Sequence, residues 1–137
     1  MPAYTGIIKL STTPGQFYNI SDKVQSIVKS SEIASGICII FCPGSTGAII
    51  LNENDPTLLK DLTNVLENIA SSKKIWHHAD NAHSHIRASL LGPDVVLPVE
   101  NGNITLGEWQ SVLFYEADVK PRQRQIIVTI VGEFEED

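Results

Sequence analysis

The chain has 137 residues, 42% of them hydrophobic, and a formal net charge of −6. That is enough for one soluble domain with its own core, expected to run over residues 1–137. No basic stripe offers itself to nucleic acid, and no stretch approaches the roughly 20 apolar residues that a membrane span requires.

Residues 6–10 (GIIKL) and 17–20 (FYNI) read as a first pair of strands, separated by the turn-rich STTPGQ. Ser21 is placed to cap a helix through DKVQSIVKSS, with Val24, Ile27 and Val28 on one face. GICIIFCPG, Gly36 to Gly44, reads as a buried strand and carries both cysteines, Cys38 and Cys42. Residues four apart on a strand share a face but lie about 13 Å apart, too far for a disulfide. Two buried core thiols are therefore expected. Ala48 to Leu51 is another short strand. Asp55-Pro56 opens a helix, the aspartate as cap and the proline at the first helical position. Leu58, Leu59, Leu62, Val65, Leu66 and Ile69 give that helix its apolar face, and it ends near Ser71.

The second half changes character. All four histidines fall within nine positions, His77 to His85, in the run WHHADNAHSHIRASLLGP. IRASLL and VVLPV follow, then a turn at Glu100 to Asn103 whose Asn-Gly step signals a hairpin. ITLGEWQSVLFYEA leads to a break at Lys120-Pro121, a last strand over Arg124 to Gly132, and a solvated acidic tail, EFEED. Strands with a helix, strands with a helix, then mostly strands predict an α+β fold: an antiparallel sheet with helices packed to one side. The start, MPAYTGIIKLST, lacks the charged-then-apolar order of a signal peptide, so the cytoplasm is the expected compartment.

The histidine run is the first candidate site, because imidazole both ligates transition metals and moves protons near neutral pH. On an extended backbone, His83 and His85 project to one side and suit two ligands of one metal. A third ligand from His77 or His78 gives a zinc-like site with an open position for water. Zinc is favoured, with magnesium or manganese left open. The bland alternative is a solvated loop carrying His77 and His78, with one structural hydrogen bond from His83 or His85. PGSTGAI adds Gly44, Ser45, Thr46 and Gly47, whose backbone and hydroxyls suit an anion, or simply form a turn. Glu53 is a candidate general base, or a solvated carboxylate. Trp109, followed by Gln110, is either an aromatic platform or a core residue. YEADVKPRQR holds Glu116, Asp118, Arg122 and Arg124: Arg122 can bind phosphate, or pair with Glu116 or Asp118 at the strand edge. Arg87 is a further anion candidate.

PGSTGAI, NENDP, NAHSHIRASLLGP, LPVENGNITLGEWQ and PRQRQIIVTIVGE, in that order, resemble the YjbQ family, also called the secondary thiamine-phosphate synthase family. The resemblance spans about Gly6 to Glu133. It implies a compact single α+β domain with a β-sandwich-like core and helices on one side. It also implies a homotrimer with the site near the subunit boundary. The implied activity joins a pyrimidine pyrophosphate to a thiazole phosphate and releases pyrophosphate. Carried over residue by residue, the site positions are His83 and His85, with Glu53, Trp109, Gln110, Glu116 and Arg122 around them. Many members have His-Thr/Ser-Thr/Ser-Ala where this chain has Gly44 to Gly47, which leaves one histidine fewer and places the chain in a Gly-Ser-Thr-Gly branch.

Three functions follow as expectations. The first is a metal- or histidine-assisted enzyme acting on a phosphorylated small molecule, either as a synthase or as a hydrolase with Glu53 or Glu116 as base. The second is a non-catalytic trimer that binds a metal or an anion. The third is a structural subunit whose histidines pack an interface.

Overall fold

The computed structural model describes residues 1–135; Glu136 and Asp137, the end of the expected acidic tail, lie outside the described residues. In chain order the elements are β1 (Ala3–Thr12), β2 (Phe17–Asn19), α1 (Ser21–Ser31), β3 (Ile33–Phe41), β4 (Gly47–Asn52) and α2 (Pro56–Ile69). They continue with α3 (Ala82–Leu91), β5 (Asp94–Glu100), β6 (Asn103–Ile104), β7 (Ser111–Glu116) and β8 (Arg122–Phe134). The strands form two antiparallel sheets, β1-β8-β3-β5-β6 and β2-β7-β4.

The α+β class is as expected, and the period-2 alternation of the strands explains the layering. Ile8, Ile40, Ile126, Val128 and Ile130 of the larger sheet pack with Ile49, Val112 and Phe114 of the smaller one, and α1 adds Val24 and Val28 to this core. The opposite face of the smaller sheet presents Ala48 and Tyr115 to Leu66 of α2, with Leu62 and Leu91 alongside. The order of layers is therefore large sheet, small sheet, then α2 and α3. Each Val, Leu, Ile or Phe buried this way contributes about 1.5–3 kcal/mol.

Several local readings hold. Asp55 accepts from the Thr57 N–H at 2.8 Å and caps α2, with Pro56 in the first turn. Asn101 and Gly102 both take positive φ, 52° and 74°, as the tight β5–β6 turn requires. Cys38 and Cys42 are buried free thiols, and burial raises the Cys38 pKa to about 11. Two readings need correction. Ser21 does not cap α1: Ile20 holds that position without a side-chain bond, and Ser21 Oγ instead accepts from the Val112 N–H at 2.8 Å. The first pair of strands is split between sheets, β1 against β8 and β2 against β7. Length decides this: β1 has ten residues and follows β8 from Ala3↔Val131 to Thr12↔Arg122.

Candidate functional site

His83 and His85 do not lie on an extended backbone; both belong to α3. Ser84, Arg87, Ala88 and Leu91, at i, i+3, i+4 and i+7, give this segment helical spacing on its packed side, and α3 rests on β4. Two steps along a helix turn a side chain by about 200°, so the two imidazoles diverge. His85 instead meets His78 from the preceding loop, with ring centroids 5.0 Å apart at 61°. Together with Trp76, His77, Ala82 and Ile86 they line a pocket of about 280 Å³. The loop is tied down at Trp76, whose Nε1 donates to the Ser71 carbonyl at 2.9 Å.

His83 faces a different neighbourhood. Burial lowers its pKa below the usual imidazole value and the Arg87 guanidinium lowers it further, against the opposing pull of Glu67 and Asp118. It is therefore neutral at pH 7 and able to accept a proton.

Asp118 links α3 to a buried polar network. Asn81, at the N-cap position of α3, makes no side-chain cap; its Nδ2 donates to Asp118 Oδ1 at 3.2 Å. Arg122 Nη1 donates to Asp118 Oδ2 at 2.6 Å. Thr46 Oγ1 donates to the same oxygen at 3.4 Å and accepts from Arg124 Nη2 at 2.9 Å. Arg124 Nε donates to Glu116 Oε1 at 2.7 Å, which also accepts from Thr12 Oγ1 at 2.7 Å. Glu116 and Arg124 are both buried, so they hold each other's charge. Burial alone would raise the Asp118 pKa, but hydrogen bonds from the Val119 N–H, Asn81 and Arg122 prevail and hold it at about 2.

The three arginines differ in what remains free. Arg124 is engaged at Nε and Nη2 by Glu116 and Thr46. Arg87 donates to Glu67, to the Ala70 carbonyl and to Tyr115 Oη, and so braces α3 to the end of α2 rather than facing a ligand. Arg122 is 39% exposed at its side chain and pinned by Asp118 at Nη1; among the described residues its other nitrogens have no partner.

The loop before β4 divides as well. Gly44 and Ser45 are exposed, and Gly44 has φ +108°. Gly47 is needed for packing: a Cβ there would lie 2.8 Å from the Phe114 ring. Glu53, Trp109 and Gln110 are elsewhere. Gly47 pairs with Glu116 and Asn52 with Ser111 across β4 and β7. Five residue steps at ~3.4 Å separate those ends by about 17 Å. Glu53, Trp109 and Gln110 sit past the Asn52 end, so one chain does not bring them to Glu116 and Arg122. Trp109 is 68% exposed, which removes the reading of it as a core residue. Gln110 Oε1 accepts from the Gly107 N–H at 2.7 Å and closes the turn.

Residues 6–133 match the family model described as UPF0047 protein YjbQ-like. The chain belongs to this family. A UPF0047 protein of Methanothermobacter thermautotrophicus is 40% identical over 136 residues, covering 96% of this chain and 94% of that one. The UPF0047 protein YjbQ of Salmonella typhimurium is 30% identical, covering 95% and 99%. Among solved structures, a YbjQ-like protein of unknown function from Sulfolobus solfataricus superposes with a TM-score of 0.93 at 36% identity, covering 96% and 99%. A YjbQ/UPF0047 protein of Clostridium acetobutylicum gives 0.87 at 34% identity, covering 91% and 98%.

Within this UPF0047 chain the expected metal set of His77, His83 and His85 does not converge. Among the described residues, no three His, Cys, Asp or Glu side chains are grouped closely enough to hold a metal ion. The donor chemistry that is assembled is the His78–His85 pair, two imidazoles where a catalytic zinc site takes three protein ligands. Thr12 and Asn81 were not singled out from the sequence. Thr12 is marked only by its register with Arg122, a pairing of chain ends that a local reading does not contain. Asn81 sits directly before Ala82, an N-cap signal that becomes visible once the histidine run is read as helical.

Proposed function

We propose that this UPF0047 protein is a histidine-assisted enzyme acting on a phosphorylated small molecule, in the manner of a secondary thiamine-phosphate synthase. The observation that carries the reading is Arg122: a guanidinium held at one nitrogen by Asp118, which also accepts from Asn81 at the N-terminus of α3, the helix that carries His83. First-turn N–H groups of a helix have no intrahelical acceptors and favour anions. Arg122, those groups and the exposed Gly44-Ser45 segment suit a phosphate. In the synthase reaction a carbon–nitrogen bond forms to the pyrimidine's methylene carbon as its bond to pyrophosphate breaks. The departing negative charge is what these donors would stabilise. Glu116 and Asp118 are engaged by Arg124 and Arg122, which leaves neither free to act as the general base of a hydrolase.

The test is product formation from a pyrimidine pyrophosphate and a thiazole phosphate. Arg122→Met is expected to raise KM about 10- to 100-fold, the value of a lost charged hydrogen bond. His83→Asn is expected to lower kcat. Unchanged KM in Arg122→Met would remove the phosphate seat from Arg122.

A second reading is favoured by the His78–His85 contact: a divalent metal, zinc first, bound by these two imidazoles with the remaining ligands from outside the chain. Bound there, it would supply a polarised phosphate oxygen or an acidified water. Metal analysis of the purified chain and of a His78→Ala, His85→Ala double variant decides it. The same reading takes the protein as a cytoplasmic homotrimer, which gives the separated Trp109 end a second chain to serve. It also keeps the chain in the Gly-Ser-Thr-Gly branch: φ +108° at position 44 suits glycine and would strain a histidine.

A further inference from the structure

The pocket around the His78–His85 contact is built from residues that the phosphate seat does not use. Successive residues of a helix turn by about 100°. The packed side of α3, Ser84, Arg87, Ala88 and Leu91, therefore has Ala82, His85 and Ile86 on the side opposite. A helix side turned away from the core is ordinarily polar. Here it offers a methyl group, an imidazole and a branched alkyl chain, and Trp76, His77 and His78 of the preceding loop close the pocket of about 280 Å³ against it. Ala82 is buried although it lies on this outer side. Trp76 is oriented by its Nε1 bond to the Ser71 carbonyl, and Lys74 Nζ lies 4.4 Å from the centre of its ring. One face of the indole thus has a cation against it, and the other is left for a planar group.

We propose that this pocket binds the pyrimidine ring of the substrate, stacked on Trp76 with its nitrogen edge against the histidines. The proposal rests on the synthase reading above and adds the seat of the ring. Ligand pockets are lined mainly by apolar and aromatic side chains, with a few polar groups that fix orientation, and span roughly 300–1,000 Å³ for drug-sized molecules. This one falls just under that range, the size for a single ring. Its polar groups choose which ring. A neutral imidazole offers one N–H donor and one acceptor nitrogen. An aminopyrimidine carries an amino donor beside acceptor ring nitrogens, so imidazoles can meet it in both senses. A thiazole has a single ring nitrogen and no donor. The position fits as well: Ala82 directly follows Asn81, whose Nδ2 bonds the Asp118 that holds Arg122. Pocket and phosphate seat therefore share the first turn of α3, as the two ends of one pyrimidine pyrophosphate require.

Trp76 and Trp109 are the two tryptophans of the chain, so Trp109→Phe leaves Trp76 as a single fluorescent reporter. With a chelator present throughout, to exclude binding through a metal, the unphosphorylated pyrimidine alcohol is expected to quench it saturably and the thiazole alcohol is not. In calorimetry, Trp76→Leu is expected to weaken binding of the pyrimidine alcohol about 10- to 100-fold, the worth of a base stacked on an aromatic side chain. Trp76→Phe should keep most of the affinity, because it drops the Nε1 bond but retains a ring to stack on. Arg122→Met should leave this affinity unchanged, since the probe has no phosphate. No quenching, or quenching by the thiazole alcohol instead, overturns the proposal. So does a Trp76→Phe as damaging as Trp76→Leu, which would mark Trp76 as an anchor of its loop only. Turnover separates the ring seat from the synthase reading. Binding of the alcohol with no product from the phosphorylated pair leaves the ring seat and removes the synthase. Product formed with an unchanged KM for the pyrimidine pyrophosphate in Trp76→Leu keeps the synthase and overturns the ring seat.

Discussion

Glu116 and Arg124 show how strongly one buried pair can constrain this chain. Both are inaccessible, and every carboxylate oxygen of Glu116 is bonded. Glu116→Gln leaves the Arg124 charge uncompensated in the interior and is expected to cost about 3–5 kcal/mol in denaturant unfolding. Asp118 and Glu67 carry the pH dependence. Hydrogen bonds hold both folded carboxylates at about 2. A depressed carboxylate pKa stabilises the fold above the unfolded pKa, and that stability is lost as pH falls through the folded one. Loss is therefore expected between about pH 4 and pH 2, and Asp118→Asn should flatten that part of the stability profile, measured by urea midpoint against pH. His83 has the same sign in a higher window. Its lowered pKa keeps the neutral form dominant below the usual pKa of about 6.5. A rate that depends on neutral His83 should fall only once pH drops through the lowered value, and the pH–rate profile of the wild type against His83→Asn checks this.

Glycine placement governs how the elements meet. Gly36 of β3 and Gly132 of β8 face each other beside a register irregularity between Ile33 and Ser35. A Cβ on Gly36 would come within 2.1 Å of the Val131 carbonyl oxygen, and one on Gly132 within 2.0 Å of that of Ser35. The obstacle is backbone, which cannot rotate away. Gly15 has φ +77° but nothing within 4 Å of an added Cβ. Gly15→Ala is expected to cost only the left-handed strain, about 1–2 kcal/mol, and Gly36→Ala more than that, with thermal melts of the two variants giving the comparison. The Arg87 brace acts at the same level. Its bonds to Glu67, Ala70 and Tyr115 lock the end of α2 to α3, so Arg87→Met should loosen α3 and the histidines it carries. Hydrogen exchange at α3 amides reads that effect.

For the molecule as a whole, the homotrimer proposed above would make stability a matter of concentration. A chain that associates with its own copies gains free energy from association, so the proposed oligomer predicts a melting temperature that rises with protein concentration, and a concentration-independent melt would count against it. The two-ended small sheet bears on the site as well. Glu53, Trp109 and Gln110 lie past the Asn52 end of β4, about 17 Å from the Glu116 end, so within one chain they form a separate group.

Local patterns carried much of this. Asp55-Pro56 specified the start of α2, Asn101-Gly102 specified the β5–β6 turn, and the alternating strands specified an antiparallel α+β fold, because caps, tight turns and pleat are decided by neighbours in the chain. The family, too, was legible in the order of its short segments. The histidines were misplaced on a strand because polar spacing at i and i+2 fits a strand edge, while the i, i+3, i+4, i+7 face of Ser84, Arg87, Ala88 and Leu91 packs as a helix. That change of one element exchanged a His83–His85 pair for His78–His85 and turned His83 toward Arg87 and Asp118. Which arginine keeps free donors was likewise a tertiary decision. Arg87, Arg122 and Arg124 are alike in sequence, and only the tertiary arrangement brings up the carboxylates, hydroxyls and carbonyls that engage Arg87 at three nitrogens, Arg124 at two and Arg122 at one.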